Sequence, residues 1–268
     1  MALLLKPVPA LQGARWMRDG FRLFGKHPLA FSVLLVSFLL TALVFSMVPF
    51  VGPMVVVASL PLLSLGFMVA SEASLSGQPI HPGHFITPLL GHASRGGRQL
   101  TLCVTYGVAT MLVMLISDAV DDGKFEKLQR LMGQSQSSSE VEQLLRDPQL
   151  FWGVVTRFGL IALLSVPFWH APALVHWGGQ GPAQALFSST LAVWRSRSAF
   201  AVYLLSWLGI IVAFGVTTAL LAGLLSAREM AGMMLLPSVL IFSTVFYVSL
   251  LFTFNDSFGG SGVRHAAP

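Results

Sequence analysis

Charge is what this sequence has least of. Asp, Glu, Lys and Arg make up 10% of its 268 residues, against about 25% in a soluble globular domain. With 54% hydrophobic residues and a mean hydropathy of +0.75, a soluble fold could not hide so much apolar surface. Cysteine is nearly missing too: Cys103 stands alone in an apolar stretch, which excludes an internal disulfide and a cysteine-rich metal framework. Long basic runs are absent, so the net charge of +5 does not point to nucleic acid. The cations instead punctuate apolar blocks, as they do when they set topology against an anionic membrane. The zinc-protease HExxH pattern and the P-loop lysine pattern are also absent. No catalytic set, metal site or cofactor is expected, and the chain is not expected to be an enzyme.

What is there is hydrocarbon-length apolar sequence. A helix needs roughly 20 apolar residues to cross a bilayer, and unsatisfied backbone cannot remain in lipid. Six segments qualify, near Leu29–Val48, Met54–Leu75, Leu100–Val120, Phe151–Val175, Phe200–Leu225 and Met230–Phe254. The fold class is therefore all-α, a polytopic transmembrane bundle of about six spans with an amphipathic N-terminal helix. Residues 1–27 hold that helix. Residues 28–258 hold the six spans, with a helical loop at 117–150, and residues 259–268 a flexible tail. The opening Met1–Leu5 run is too short for a signal peptide, so the first apolar segment is expected to stay as an anchor.

Basic residues give the orientation. Lys6, Arg15, Arg18, Arg22 and Lys26, the pairs Arg95/Arg98 and Arg195/Arg197, and Arg264 fall on one side, ten in all. Lys124, Lys127, Arg130, Arg146 and Arg228 make five on the other. The rule that positive loops stay inside puts both termini in the cytoplasm. Within residues 10–27, Arg15, Arg18, Arg22 and Lys26 share one narrow face, opposite Trp16, Met17, Phe21, Leu23 and Phe24. Such a helix either lies on the membrane surface with its cations toward headgroups, or packs on the bundle. Pro49-Phe50-Val51-Gly52-Pro53 is uncharged and predicts a tight hairpin. In the long loop, Phe125–Met132 predicts a short helix, Gln134–Ser138 a linker, and Ser139-Glu140-Val141-Glu142 a capping box opening a second helix that Pro148 ends.

A faint repeat joins spans two and four. Pro61 and Pro167 lie within them, Gly77-Gln78-Pro79 and Gly179-Gln180-Gly181-Pro182 follow, then Phe85 and Phe187, then an arginine pair. This allows two parallel units about the membrane normal.

The blocks Gly20-Phe21-Arg22-Leu23-Phe24, Val48-Pro49-Phe50-Val51-Gly52-Pro53 and Gly66-Phe67-Met68 resemble a family of uncharacterised proteobacterial multi-span inner-membrane proteins. So do Ala171-Pro172-Ala173-Leu174-Val175 and the Gly181-Pro182-x-x-Ala185 turn. The resemblance covers most of the chain outside Ser117–Gln149. It implies a bacterial inner-membrane location and several spans, and carries no activity with it.

Ionisable groups inside spans are the candidates for function. Glu72 near the end of span two, His170 in span four, and Asn255 and Asp256 closing span six could converge on a polar pocket. Arg157, two turns into span four, is expected to snorkel to the surface, with an ion pair to Asp118 as the alternative. His81, His84 and His92 lack a completing carboxylate or thiolate for a metal. Gly259-Gly260-Ser261-Gly262 resembles an intramembrane serine-protease motif but lies beyond the last span. Gly215, Ala219 and Gly223, and likewise Gly66, Ala70 and Ser74, repeat at helical spacing and predict close packing within the bundle. The expected role is a structural, accessory or lipid-associated one; the alternative is a small transporter or channel with a polar site near Glu72 and His170. Membrane lipids are the expected partners, with another membrane protein or a second copy beside them.

Overall fold

Proline and glycine set the helix limits. In a computed structural model, which describes residues 5–90, 93–133, 138–224 and 228–259, helix α1 covers Gln12–Lys26 and stops at His27, before Pro28 opens α2, Pro28–Ser46. Proline suits a first helical position because the N–H it lacks would have no partner there. Phe50, at φ 61°, closes a γ-turn in which Val51 N–H donates to the Pro49 carbonyl at 2.7 Å. This is the expected tight hairpin. It leads into α3, Val51–Ala58, and α4, Leu60–Leu75.

After Gly77 comes a short 3-10 turn, Pro82–Phe85, then α5, Thr87–Leu90, and the long α6, Ala93–Asp121. The loop that follows holds α7, Lys124–Gly133, and α8, Ser138–Leu145. The linker expected at Gln134–Ser138 lies outside the described residues up to position 137. Pro148 does more than end α8: with Asp147 as N-cap, accepting from Gln149 N–H at 2.8 Å, it opens α9, Pro148–Phe168. Then come α10, Ala171–His176, α11, Pro182–Arg195, α12, Arg197–Leu224, and α13, Arg228–Phe258. Among the described residues there is no strand. The tail from residue 260 lies outside them.

Among the described residues, six helical segments are long and apolar enough to span: Pro28–Ser46, Val51–Leu75, Ser94–Asp121, Pro148–His176, Arg197–Leu221 and Met234–Phe258. The bundle is all-α and polytopic. Two of its spans are interrupted, span two at Ser59 before Pro61 and span four at Trp169 and His170 after Pro167. Proline removes a backbone hydrogen bond in each, and serine hydroxyls bond other backbone groups beside both breaks. Ser59 Oγ donates to the Val56 carbonyl and Ser64 Oγ to that of Pro61. At the second break one side chain from α11 serves both edges. Ser189 Oγ donates to the Val166 carbonyl at 3.1 Å and accepts from His170 N–H at 3.0 Å.

Burial divides the bundle across its middle. The half next to the termini and the α4–α6 and α10–α12 connections contains Trp16, Phe31, Phe67, His170, Tyr203 and Phe254, all fully buried. The half next to the α6–α9 connection, the cap side, exposes Leu43, Val216, Leu220 and Leu236. Helix α1 belongs to the first half. Gly13 lies so close to α12 that an added Cβ would meet the Ala199 carbonyl at 2.1 Å, and one on Gly20 would meet Ser249 Cβ of α13 at 2.7 Å. Between these glycines Trp16 fits against Phe200 and Tyr203, at ring separations of 5.2 and 5.9 Å. Apolarity alone does not bring helices together in lipid, so this close approach and its dispersion contacts supply the attraction.

The small-residue stripes behave differently from one another. Gly66 packs under the Phe85 ring and Ala70 is fully buried, as expected. Gly215 and Gly223 of α12 have nothing within 4 Å of where a Cβ would sit. Their expected role in internal packing is not met, because α12 leaves the bundle on the cap side. The repeat is likewise uneven. Gly77 and Gly179 both turn left-handed, at φ 72° and 62°. Yet Phe85 inserts against Phe38 and Phe67, whereas Phe187 is 70% exposed.

Candidate functional site

His170 sits at the break in span four and is fully buried. Its protonation pattern follows from hydrogen counting. Thr253 Oγ1 donates its one hydrogen to the Leu250 carbonyl at 2.8 Å. It is then only an acceptor for Trp169 Nε1 and for His170 Nε2, each at 3.2 Å. His170 therefore carries its proton on Nε2. Its Nδ1 has no donor among the described residues. The rings of Phe200, Phe254 and Phe258 surround it at 5.4–5.9 Å.

Glu72 lies elsewhere. It is half-buried on α4, and its side chain meets the Trp177 indole. Trp177 stacks on Phe254 at 5.3 Å, so the Phe254 ring contacts both neighbourhoods. Asp256 faces a third way: its Oδ2 accepts from Trp16 Nε1 at 2.7 Å and from Gln12 Nε2 at 2.8 Å. Asn255, half-buried beside it, makes no side-chain hydrogen bond among the described residues. The four candidates share an end of the bundle, but no hydrogen bond joins Glu72, His170 and Asp256 among the described residues. Both Asn255 and Asp256 fall within α13, which runs a turn past the expected end of span six.

Sequence reasoning took Trp16 only as an apolar residue and missed its bond to Asp256. It also counted Arg95 and Arg98 purely as topological charges. They cap the end of span four: Arg95 donates to the His176 carbonyl at 3.4 Å, Arg98 to that of Gly179 at 2.6 Å, and Gln99 to that of Pro172 at 2.6 Å. Cations suit the negative end of a helix. The glycine-rich exit after span four was the available signal that such carbonyls would need donors.

Arg157 does not snorkel. Its guanidinium, 8% exposed, bonds Asp118 at 2.5 Å, lies 3.5 Å from the fully buried Asp121, and sits 4.1 Å from the centre of the Phe125 ring. The alternative to Asp118 holds, with a second carboxylate added, because Gly153 lets Asp121 approach α9. On the same side Lys124 bonds both Asp147 and Gln149. Hydrogen bonding from Lys124 holds the Asp147 carboxyl below its ordinary value.

His81 and His84 stack at 4.1 Å. Burial pushes the His84 imidazole below its ordinary 6.5, while the Pro79 carbonyl at 3.3 Å opposes this. No group of three metal-ligating side chains occurs among the described residues; His92 lies outside them.

The candidate membrane-surface cations, Arg15, Arg18, Arg22 and Lys26, are all exposed along α1. Asp19 lies between Arg18 and Arg22, at 3.8 and 3.7 Å. Of the two readings of this helix, packing on the bundle holds for its apolar face, and the four cations stay exposed.

A cavity of about 150 Å³ lies where the two interrupted spans face one another. Pro61 and Ser64 of α4, Tyr106 of α6, Ser165 and Trp169 of span four, and Tyr247 of α13 form its walls. None of Glu72, His170, Asn255 and Asp256 lines it.

Six apolar spans among the described residues, two of them interrupted, define an integral membrane protein. No family model matches the chain, and no solved structure does. It is 30% identical over 256 residues to a probable inner membrane protein of Burkholderia thailandensis, covering 94% of this chain and 93% of that protein. The chain belongs to this family of multi-span bacterial inner-membrane proteins.

Proposed function

We propose that the protein is a non-enzymatic accessory component of the inner membrane that associates with lipid, both its termini lying in the cytoplasm. One observation carries this reading. Helix α1 is fixed to α12 and α13 through Gly13, Trp16 and Gly20, yet it keeps Arg15, Arg18, Arg22 and Lys26 exposed. A cationic strip held at one end of the bundle suits anionic headgroups of the cytoplasmic leaflet, where each Lys or Arg near the surface contributes about 1 kcal/mol. The excess of basic residues on the same side supports the orientation.

Native mass spectrometry after gentle solubilisation tests the reading. Retained anionic phospholipid is expected, and its loss when all four cations are replaced by Gln. Recovery of the same lipid-free species from both proteins would overturn it.

The alternative is a small transporter or channel, which the two interrupted spans favour, since such breaks line substrate sites in many transporters. The separate partners of Glu72, His170 and Asp256 weigh against a shared polar site. Proton or solute flux into proteoliposomes, lost in Glu72→Gln, would make this the leading reading.

A further inference from the structure

We infer that the cavity between the interrupted spans seats one hydrocarbon chain of a membrane phospholipid. The wall chemistry comes first. No charged side chain lines the cavity. Its two serines are committed, Ser64 Oγ donating to the Pro61 carbonyl at 2.9 Å and Ser165 Oγ to the Ile161 carbonyl at 2.8 Å. At the nearer break, Ser189 satisfies both the Val166 carbonyl and the His170 N–H. With no charged side chain in the wall, an ion would find no compensation there. What remains is mainly aromatic rings and the aliphatic carbon of Leu60, Pro61 and Leu250, with Tyr106 and Tyr247 adding phenol groups to the wall.

Size and position choose the occupant. An apolar cavity of roughly 150 Å³ admits a six-carbon ring, which corresponds to about five or six carbons of a chain. Pro61, Tyr106 and Tyr247 all lie near the middles of their spans, where the surrounding medium is acyl chain. The cavity is partly open, and Leu163, two residues from Ser165 of its wall, is exposed at mid-span. A chain would enter through its open side, at the depth of the acyl chains. This site is independent of the cationic strip on α1.

Photocrosslinking tests it. The full-length protein is reconstituted in vesicles of phosphatidylethanolamine and phosphatidylglycerol, a fraction of the former carrying a diazirine midway along one acyl chain. Adducts are expected at Ser165, Trp169 or Tyr106, at several times the yield found at Leu208 on the open face of α12. Ser165→Phe fills the space and should cut the cavity adducts at least five-fold, leaving those at Leu208 unchanged. Leu250→Ala enlarges it and should keep or raise them, which guards against a folding failure in the first variant. Replacing the four α1 cations should leave them unaltered. Cavity yields no higher than at Leu208, insensitivity to Ser165→Phe, loss in Leu250→Ala, or equal labelling from a headgroup diazirine would each overturn the assignment.

Discussion

The two halves of this bundle are held by different physics. Next to the termini, α1, α10 and the end of α13 interlock through glycines and aromatic rings, and polar groups such as Tyr203 and Ser249 bond to one another at 2.6 Å. Because Ser249 donates to the Phe246 carbonyl, the tyrosine is the donor in that pair. On the cap side α12 stands apart, with open space at Gly215 and Gly223, and α6 and α9 are tied electrostatically: Arg157 is clamped between Asp118 and Asp121. The contrast teaches where cohesion comes from in lipid. Apolar side chains gain little by leaving hydrocarbon for protein, so stability concentrates where backbones approach closely or where polar groups pair.

The largest expected effect tests the clamp. Arg157→Gln leaves Asp121 buried without its partner and should lower stability by about 3–5 kcal/mol, read by unfolding in mixed micelles. A companion Asp121→Asn change should recover much of the loss; a loss below about 1 kcal/mol, as for a solvated pair, would mean that the cap side is not held by charge. Next in size, Trp16→Phe removes the indole donor to Asp256 and should cost about 2 kcal/mol, the worth of a bond to a charged acceptor. Tryptic cleavage within α1 would report its release, and unchanged protection would remove the fastening role of this bond.

Steric replacement sharpens the comparison further. Gly20→Ala puts a methyl 2.7 Å from Ser249 Cβ and should destabilise by roughly 1–3 kcal/mol through overpacking. Gly215→Ala meets open space and should stay within about 0.5 kcal/mol. Equal effects at both sites would erase the distinction between the halves. The smallest effect is a pH response at the cap. The Asp147 carboxyl sits below its ordinary 3.8, held there by Lys124, so the unfolded chain binds its proton more readily. Its contribution is complete above that ordinary value and disappears as pH falls through the lowered one. Hydrogen exchange in the first turn of α9 should rise over this window, and Asp147→Asn should abolish the change.

Much of the fold was legible. Apolar length marked six spans, and proline and glycine marked the hairpin, whereas Pro61 and Pro167 were read only as a repeat and the structure breaks both spans beside them. Span ends were less legible, because α6 begins several residues before its apolar run and α13 carries Asn255 and Asp256 in its last turns. The candidate site was harder. Trp16 and Asp256 are 240 residues apart, and nothing local in either predicts the bond. Arg157 had a readable partner in Asp118, but the burial of Asp121 depended on Gly153 giving it room.

By itself the sequence determined residence in a membrane, the number of spans and the side on which positive charge gathers, since these follow from transfer energies summed along the chain. Tertiary structure alone decided which faces meet. In lipid a leucine is equally at home against a chain or against another helix, so no periodic signal separates the outer faces of α12 from the buried ones of α4. Only the crossings at Gly13 and Gly20, and the pairing of distant polar groups, make one half a core and leave the other open.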